Sequence, residues 1–286
     1  MTTSRPDQHA RAQAFAALHD APGAFVLPNA WDAGSARMLG SLGFQALATT
    51  SAGLAFALGR RDAEGLLTRG ETLSNAAAIV EATDLPVSAD LEDGFGRAPE
   101  DVAETVRQAA AVGLVGCTIE DTTADPRQPI HDFALSVERI AAGVEAARAL
   151  PLRFTLTARA ENFLFNRPDL DDTIRRLRAF EDAGADVLYA PGLPDLDAIR
   201  AVCAAVAKPV NYVAGLAGRR YSVAELAAAG VKRISLGSTL ARVALGALAS
   251  AARELRDHGT FDFVDGAVPF ADANALMRSH LRPDSR

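Results

Sequence analysis

The chain has 286 residues, of which 49% are hydrophobic and 23% charged, and its formal net charge is −7. The length and apolar content allow a large hydrophobic core, and the acidic balance argues against nucleic acid or an anionic membrane surface as the main partner. With only two cysteines, a disulfide framework and a thiolate metal cluster are excluded. The first 20 residues lack the apolar core of a signal peptide and no run approaches the ~20 apolar residues of a membrane span, so we expect a cytoplasmic protein.

Short apolar runs alternate with longer amphipathic segments along the whole chain. We predict a buried strand at each of eight runs: 25–30 (FVLPNA), 46–52 (ALATTSA), 86–93 (PVSADLED), 116–121 (GCTIED), 153–160 (RFTLTARA), 186–192 (DVLYAPG), 209–215 (PVNYVAG) and 233–238 (RISLGS). The segments between them carry apolar residues three and four apart, and several end at a glycine just before the next strand. This pattern predicts helices.

Eight strand-then-helix units in about 250 residues are typical of an α/β fold of the (β/α)8 TIM barrel type. A doubly wound open sheet is the alternative, but no G-x-G-x-x-G follows the first strand, which weakens its dinucleotide-binding form. No linker divides the chain. We therefore expect residues 1–286 to form one barrel domain, with an N-terminal helix and a C-terminal extension after Asp262.

Charged residues end the third, fourth and fifth predicted strands, where a barrel collects its catalytic groups. Side chains alternate between the faces of a strand, so Asp90 and Glu92 share one face and Asp93 points the other way. Glu120 and Arg159 end the next two strands in the same manner. We predict that three carboxylates and one guanidinium meet at the barrel mouth.

Two interpretations of this cluster compete. In the first, the carboxylates only neutralise Arg159 in an ion-pair network without function. In the second they hold a divalent cation, because oxygen ligands without histidine or thiolate suit a hard ion such as Mg²⁺ or Mn²⁺. Arg159 is then free to bind a substrate carboxylate through two parallel hydrogen bonds. The clustering on adjacent strands favours the metal site.

Lysine and histidine positions exclude two other chemistries. Lys208 and Lys232 each precede a strand and should lie at the bottom of the barrel, which argues against a Schiff-base aldolase. The histidines miss the strand ends, which argues against a zinc hydrolase; they are His9, His19, His131, His258 and His280. His131 lies in the loop after the fourth strand, where we expect it to be exposed to solvent.

Five motifs, in this order and spacing, resemble the isocitrate lyase/phosphoenolpyruvate mutase superfamily: PNAWDAGSAR (28–37), TTSAGLAFALGRRD (49–62), ADLEDGFG (89–96), TIED (118–121) and TARAENF (157–163). The resemblance extends from Phe25 to Phe263. It implies a TIM barrel that forms a homotetramer, a dimer of dimers, in which the eighth helix is swapped between subunits. It also implies Mg²⁺ and a 2-oxo acid or its enolate, next to which a C–C or P–C bond is made or broken.

The resemblance implies roles for individual residues by position. Asp90 matches the direct Mg²⁺ ligand, and Glu92 and Glu120 match ligands that act through water. Arg159 matches the arginine that binds the substrate carboxylate, and Asp62 matches the aspartate of the loop that enters the site. The predicted catalytic residues are thus Arg159, Asp62 and Glu120.

The predicted substrate-binding residues all lie at the mouth: Ser51, Ala52, Gly53, Arg159 and Asn211. The first three match a turn whose backbone N–H groups cradle the oxo acid in the superfamily. A proton must also reach the enolate carbon. The donor is left open among Tyr189, Tyr212 and, through water, Asn211.

Two loops depart from the superfamily pattern. Residues 121–133 (DTTADPRQPIHDF) lack both the Lys-x-Cys-Gly-His stretch of the isocitrate-cleaving lyases and a counterpart of the mutases' asparagine, and GRRD (59–62) replaces a Gly-aromatic-Pro-Asp run. The resemblance therefore implies the shared chemistry: Mg²⁺-dependent C–C cleavage or decarboxylation of a small 2-oxo or 2-hydroxy dicarboxylate to a pyruvate-type enolate. A phosphonomutase or P–C hydrolase, and a catalytically idle 2-oxo acid binder, remain alternatives.

Overall fold

The computed structural model describes residues 7–123, 125–216 and 218–278. Within these ranges nine parallel strands form one nearly closed barrel in the order β1-β9-β8-β7-β6-β5-β4-β3-β2. The strands are β1 (Phe25–Leu27), β2 (Asn29–Ala30), β3 (Leu47–Thr49), β4 (Val87–Asp90), β5 (Gly116–Glu120), β6 (Thr155–Arg159), β7 (Val187–Tyr189), β8 (Val210–Val213) and β9 (Arg233–Ser235). The predicted TIM barrel is confirmed.

Helices separate the strands and surround the barrel. They are α1 (Gln8–Asp20), α2 (Ala33–Ser41), α3 (Ser51–Ala57), α4 (Arg69–Ala82), α5 (Pro99–Ala111), α6 (Phe133–Arg148), α7 (Leu170–Asp182), α8 (Leu196–Ala205), α9 (Val223–Ala228), α10 (Thr239–His258) and α11 (Phe270–Leu276), with a 3₁₀ helix at Asp262–Gly266. The largest apolar cluster fills the space between the sheet and helices α2 and α4–α8. This core fixes the strand ends on which the site is built.

Pro28 divides the predicted first strand into β1 and β2. The part before Pro28 pairs with β9 and the part after it pairs with β3. Proline has no backbone N–H and cannot donate to a sheet, whereas its carbonyl still accepts a hydrogen bond from Ala48 N at 2.9 Å. The nine strands therefore correspond to the eight predicted ones, and continuous chain closes the barrel at this seam.

The predicted strand at 46–52 is wrong at its C-terminal end. β3 ends at Thr49 and α3 begins two residues later, at Ser51. The hydroxyl of Thr50 accepts a hydrogen bond from Gly53 N at 3.2 Å and caps the helix. A threonine in this position starts a helix by satisfying one of its free N–H groups, so Ser51 and Ala52 lie in a first helical turn.

Helix α1 closes the N-terminal end of the barrel. Its Ala12 and Phe15 are fully buried against residues that lie in or just before strands, among them Leu27 and Val115. Lys232 also lies at this end, where its Nζ donates to Gly23 O at 2.7 Å. The bottom of the barrel is thus a packed plug, far from the mouth where charged side chains gather.

Helix α10 is the most exposed of the long helices. It has 20 residues, of which only Ala241 is buried. Large apolar side chains on it face solvent in this single chain: Val243, Leu245, Leu248 and Leu255. No helix in the part of the chain that the structure describes is both long and apolar enough to cross a bilayer.

The contact between β5 and α1 yields a test of the packing at the barrel bottom. A Cβ on Gly116 would lie 2.7 Å from Thr155 O and 3.2 Å from the ring of Phe15. Gly116→Ala should therefore lower the free energy of unfolding by about 1–3 kcal/mol, measured by urea denaturation. Gly70→Ala is the control, because nothing lies within 4 Å of its added Cβ. Equal stability of the two variants would contradict the close packing.

Candidate active site at the barrel mouth

Three side chains from neighbouring strands meet at the mouth. Glu120, Arg159 and Tyr189 are successive register partners across β5, β6 and β7. Arg159 Nη1 lies 3.1 Å from Glu120 Oε2, and the guanidinium carbon lies 4.9 Å from the centroid of the Tyr189 ring. The structure thus brings Arg159 and Glu120 together and adds an aromatic face beneath the guanidinium, a favourable arrangement for a cation.

A buried carboxylate that the site prediction left out holds Arg159 from the other side. Glu161 is fully buried and accepts a hydrogen bond from Arg159 Nε. Burial raises the pKa of Glu161, and the positive charge of Arg159 limits that rise. Glu161 lies two residues after Arg159 and so shares its face in the sequence pattern. That pattern could have identified Glu161, whereas its burial and its contact with Arg159 are visible only in the fold.

Asp121 fixes the backbone of this arrangement. Its Oδ1 accepts from Glu161 N at 2.9 Å, and its Oδ2 lies 3.0 Å from Nη1 of Arg176. Arg176 is buried and also donates to the carbonyl of His131 and to Ser136 Oγ, at 3.1 and 3.0 Å. Helix α7 therefore ties together the segments that follow β5 and β6. Asp121 and Arg176 thus hold the segment that carries Glu161, and Glu161 in turn contacts Arg159.

Asp90 uses one carboxylate oxygen within the protein and leaves the other without a partner. Its Oδ2 accepts from the backbone N–H and the hydroxyl of Ser51, at 3.1 and 2.8 Å. Its Oδ1 is buried and, among the described residues, has no hydrogen-bond partner. A buried unpartnered carboxylate oxygen is costly, so its environment favours a ligand that supplies positive charge.

Glu92 lies near Asp90 and Glu120, but it follows strand β4 and is not part of it. β4 ends at Asp90, Leu91 is fully buried, and Glu92 has a φ of 48°. Strand alternation therefore does not extend to Glu92 and Asp93, and that argument was wrong beyond Asp90. A left-handed residue that is not glycine is strained and is often found at functional sites. Burial, followed by the negative charges of Asp90 and Glu120, raises the pKa of Glu92 to about 8.

Asp62 lies on the exposed loop between α3 and α4. Desolvation of its carboxyl group, followed by the negative charge of Asp90, raises its pKa, and the charge of Arg159 acts in the opposite sense. The loop is held at its base by Arg60, which donates to Glu71 Oε1 at 2.7 Å and to Leu66 O at 3.0 Å. The first arginine of the GRRD run thus anchors a loop that carries Asp62 close to the mouth.

The other predicted substrate-binding residues lie at two depths. At the mouth, the N–H groups of Ser51 and Gly53 are already used, by Asp90 and Thr50. Deeper in the barrel, Asn211 borders a cavity of about 40 Å³ with Asp90, Arg159 and Tyr189; its walls also include Asn29, Arg233 and Ser235. Of the two tyrosines considered as proton donors, only Tyr189 lines this cavity.

The loop after β5 is folded down onto the barrel. An antiparallel bridge joins Thr122 to Ile130, and His131 N donates to Asp121 O at 2.8 Å. His131 is only 4% exposed, so the expected solvent exposure was wrong. Burial lowers the pKa of His131 to about 4. His280 lies outside the described residues.

The acidic residues fit a hard cation that keeps most of its water. No group of three or more His, Cys, Asp or Glu side chains in the described ranges is arranged to ligate one ion. Mg²⁺ in proteins often takes only one or two carboxylates directly and retains several waters. Asp90 Oδ1 is a buried oxygen available for such a contact. Burial and the charge of Asp90 also raise the pKa of Glu120, to about 7 despite the nearby Arg159, and a cation would relieve this repulsion.

Comparison with known proteins identifies the family. The family model for phosphoenolpyruvate phosphomutase matches residues 15–256, and the chain belongs to this family. A solved structure of 2,3-dimethylmalate lyase, a member of the PEP mutase/isocitrate lyase superfamily, is 28% identical with a TM-score of 0.84, and the match covers 94% of this chain and 95% of that chain. The chain is therefore an enzyme of the lyase and mutase superfamily, as the motifs predicted.

Two further solved structures are similar over nearly their whole length. A protein from Burkholderia cenocepacia J2315, provisionally named a lyase/mutase, is 57% identical with a TM-score of 0.93, and the match covers 97% of this chain and 98% of that chain. A phosphonopyruvate hydrolase in complex with oxalate and Mg²⁺ is 25% identical with a TM-score of 0.83, covering 93% of this chain and 94% of that chain. The superfamily thus includes both C–C and P–C chemistry on this fold.

The raised pKa of Glu92 predicts how stability depends on pH in metal-free protein. The folded protein binds this proton more tightly than the unfolded chain, whose glutamate has the ordinary pKa of 4.5, so stability is lost as pH rises from there to about 8. Glu92→Gln removes the charge and should be more stable above pH 8, by roughly 1–3 kcal/mol after solvent screening. The difference should vanish toward pH 4.5.

Urea denaturation in the presence of a chelator, at intervals between pH 5 and 9, measures this difference. Glu138→Gln on the exposed side of α6 is the matched control, with an expected change below ~0.5 kcal/mol at every pH. A pH-independent difference between wild type and Glu92→Gln would contradict the mutual repulsion of the carboxylates.

Proposed function

We propose that the chain is a Mg²⁺-dependent, or Mn²⁺-dependent, carbon–carbon lyase. Its substrate is a small 2-oxo or 2-hydroxy dicarboxylate of the oxaloacetate or substituted malate type. Cleavage of the 2-oxo acid forms a pyruvate-type enolate, whereas cleavage of the 2-hydroxy acid forms a 2-oxo acid and the enolate of the other fragment's carboxylate. One observation carries the proposal: Arg159, held between Glu120 and Glu161, lines the same cavity as Asp90, whose buried Oδ1 has no hydrogen-bond partner among the described residues. The name of the related 2,3-dimethylmalate lyase supports a substituted malate.

Three carboxylates would hold the metal ion. Asp90 would bind it directly through Oδ1, and Glu92 and Glu120 would bind it through water. Mg²⁺ bound there would withdraw electron density from the substrate's oxo or hydroxyl oxygen. The Mg²⁺ and oxalate bound in the related phosphonopyruvate hydrolase support this assignment.

Arg159 would bind and orient the substrate carboxylate next to the reacting carbon. Its Nε and one Nη1 proton are engaged by Glu161 and Glu120, which leaves Nη2 and the second Nη1 proton for two parallel contacts with a carboxylate. With oxaloacetate, the electron pair of the C3–C4 bond forms the C2–C3 double bond of the enolate as CO₂ leaves. A guanidinium that is already held in place stabilises the negative charge without reorganisation.

Tyr189 would return a proton to the enolate carbon. It lines the same cavity as Asp90 and Arg159, and burial raises the pKa of its hydroxyl, which keeps the proton on Tyr189 before the reaction. Tyr212 packs instead with Tyr221 in the outer apolar cluster, their ring centroids 6.4 Å apart. Asp62, carried by its loop toward the mouth, would shield the enolate from bulk water.

We also propose the assembly that the superfamily resemblance implies, a homotetramer built as a dimer of dimers with α10 exchanged between neighbours. The apolar side chains of α10 are exposed in the single chain, as are Phe261 and Phe270 beyond it, which are 64% and 84% exposed. An apolar surface of this extent is typical of a subunit interface. In the proposed assembly α10 of one subunit packs on the barrel of its partner.

A substrate panel tests the proposed activity. Oxaloacetate, 2,3-dimethylmalate and phosphonopyruvate are assayed with Mg²⁺, and the wild type should turn over one of the first two. Asp90→Ala removes the oxygen proposed to bind the ion and should lower kcat/KM by on the order of 10³-fold or more. Asp197→Ala, a carboxylate on α8 whose side chain is 90% exposed, is the control and should leave turnover unchanged.

The same panel separates the alternatives. Turnover of phosphonopyruvate alone would identify a P–C bond enzyme in place of the proposed lyase. Mg²⁺-dependent binding of oxalate without turnover of any compound would identify a 2-oxo acid binder. Full activity of Asp90→Ala, or activity that survives removal of divalent ions, would overturn the metal assignment.

The exposed face of α10 predicts how the assembly responds to mutation. Leu248 is 66% exposed, and Leu248→Asp should dissociate the tetramer because a carboxylate cannot be buried there without a partner. Size-exclusion chromatography with light scattering measures the mass directly. Leu248→Met keeps the apolar volume and should remain tetrameric. A monomeric wild type, or a tetramer in both variants, would contradict the proposed interface.

A further inference from the structure

Arg233 is a buried cation that donates hydrogen bonds to neutral groups. It is the first residue of β9 and is 2% exposed. Its Nε donates to Asn211 Oδ1 at 2.7 Å, and its Nη2 donates to Thr157 Oγ1 at 2.9 Å. Within the described ranges no carboxylate forms an ion pair with it, and burial lowers its pKa to about 10. A buried charge without a counter-charge costs stability, so an apolar side chain would serve the fold better.

His19 of α1 accepts from Arg233 at the bottom of the barrel. The Nδ1 of His19 lies 2.9 Å from Phe15 O, and since a carbonyl can only accept, Nδ1 carries the proton. Nε2 therefore presents its lone pair, 3.5 Å from Nη1 of Arg233. Burial and the charge of Arg233 lower the pKa of His19 to about 3, which keeps the ring neutral. Helix α1 thus supplies Arg233 with a hydrogen-bond acceptor that carries no negative charge.

The contact with Arg233 fixes which way the amide of Asn211 points. A guanidinium has no acceptor atom, so the oxygen of Asn211 must face Arg233 and the nitrogen must face away. Nδ2 donates one proton to Ser235 Oγ at 3.0 Å. Its second proton is then available at the cavity that Asn211 shares with Asp90 and Arg159. Asn211 can offer only a donor to whatever enters.

The strand register connects Arg233 to the mouth. Each of the following residues is the register partner of the next: Glu120, Arg159, Tyr189, Asn211 and Arg233. Glu120 is the last residue of β5, whereas Arg233 is the first residue of β9. Strands in a barrel are tilted, so this row descends from the mouth to the bottom, and Arg233 lies beneath the predicted substrate site.

We propose that Arg233 is a positioning residue that fixes Asn211 as a hydrogen-bond donor to an acceptor oxygen of the substrate, and that His19 holds Arg233 in place. The inference rests on the proposed function and on the contact between Asn211 and substrate that the sequence predicts. It adds a rule of specificity: the part of the substrate that reaches deepest must carry a carboxylate or oxo oxygen. Without Arg233 the amide could turn and present its own oxygen, which would repel such a group.

A double-mutant cycle on ligand binding tests the proposal. Oxalate binding in the presence of Mg²⁺ is measured by calorimetry for wild type, Arg233→Met, Asn211→Ala and the double variant. Arg233→Met should weaken binding about 10- to 100-fold. In the Asn211→Ala background the same substitution should have no further effect, because the amide that Arg233 orients is absent. Kinetic assays of these variants should show a raised KM with a smaller change in kcat.

A second variant keeps the proposal testable if Arg233→Met does not fold. Asn211→Asp provides a carboxylate partner for Arg233 and should raise the Tm, while the oxygen it presents to the cavity should weaken oxalate binding at least about 10-fold. His19→Gln retains an acceptor toward Arg233 and should bind oxalate like the wild type, whereas His19→Leu should bind more weakly. If Arg233 had only a structural role, a variant such as Asn211→Asp that raises the Tm would not also weaken oxalate binding.

The outcomes distinguish failure of this inference from failure of the proposed function. Suppose that the wild type binds oxalate in the presence of Mg²⁺. If Arg233→Met then binds oxalate equally well, the positioning role is wrong and the proposed function stands. The same holds if Arg233→Met lowers the oxalate affinity by the same factor in the wild type and in Asn211→Ala. Oxalate binding by Asn211→Asp at wild-type affinity would also overturn it. If the wild type itself binds no oxalate in the presence of Mg²⁺, the proposed function fails and this inference fails with it.

Discussion

The charge balance at the barrel mouth is the constraint on which the rest of the site depends. Asp90, Glu92 and Glu120 come together there, and Arg159 is the cation that touches one of them directly. Glu161 takes up part of that single positive charge from the other side. Burial, together with the negative charge that remains, raises the pKa of Glu92 and Glu120. A bound cation would relieve this repulsion, which is the electrostatic basis of the proposed metal site.

The surrounding side chains hold the charged groups at the mouth in a fixed geometry. Arg159 is bordered by Glu120, Glu161 and the ring of Tyr189. Asp121 in turn holds Glu161 through its backbone and is itself held by Arg176 from α7. Because each member depends on the next, the guanidinium has few alternative positions. Preorganisation of this kind allows a charged group to stabilise an enolate without first losing solvent or rotamer freedom.

The sequence predicted the parts of the site that depend on strand periodicity and missed those that depend on tertiary contacts. Eight strands, and the meeting of Asp90, Glu120 and Arg159, follow from short apolar runs that end in charged residues. The left-handed backbone at Glu92 and the burial of His131 do not follow, because each results from packing by residues distant in the chain. Glu161 was on the predicted face, but only the fold shows that it contacts Arg159.

The folded-down loop after β5 bears on where the proton comes from in the proposed mechanism. Its two ends are bridged at Thr122 and Ile130, and His131 is buried against the barrel with a lowered pKa. Residues 121–133 contain no cysteine, and at a pKa of about 4 the buried His131 carries no positive charge near pH 7. In the proposed mechanism the acid comes from the interior of the barrel instead, where Tyr189 lies in the row between Arg159 and Asn211. Under that proposal a strand of the barrel would supply the acid, so the proposed reaction would not depend on an acid carried by the loop after β5.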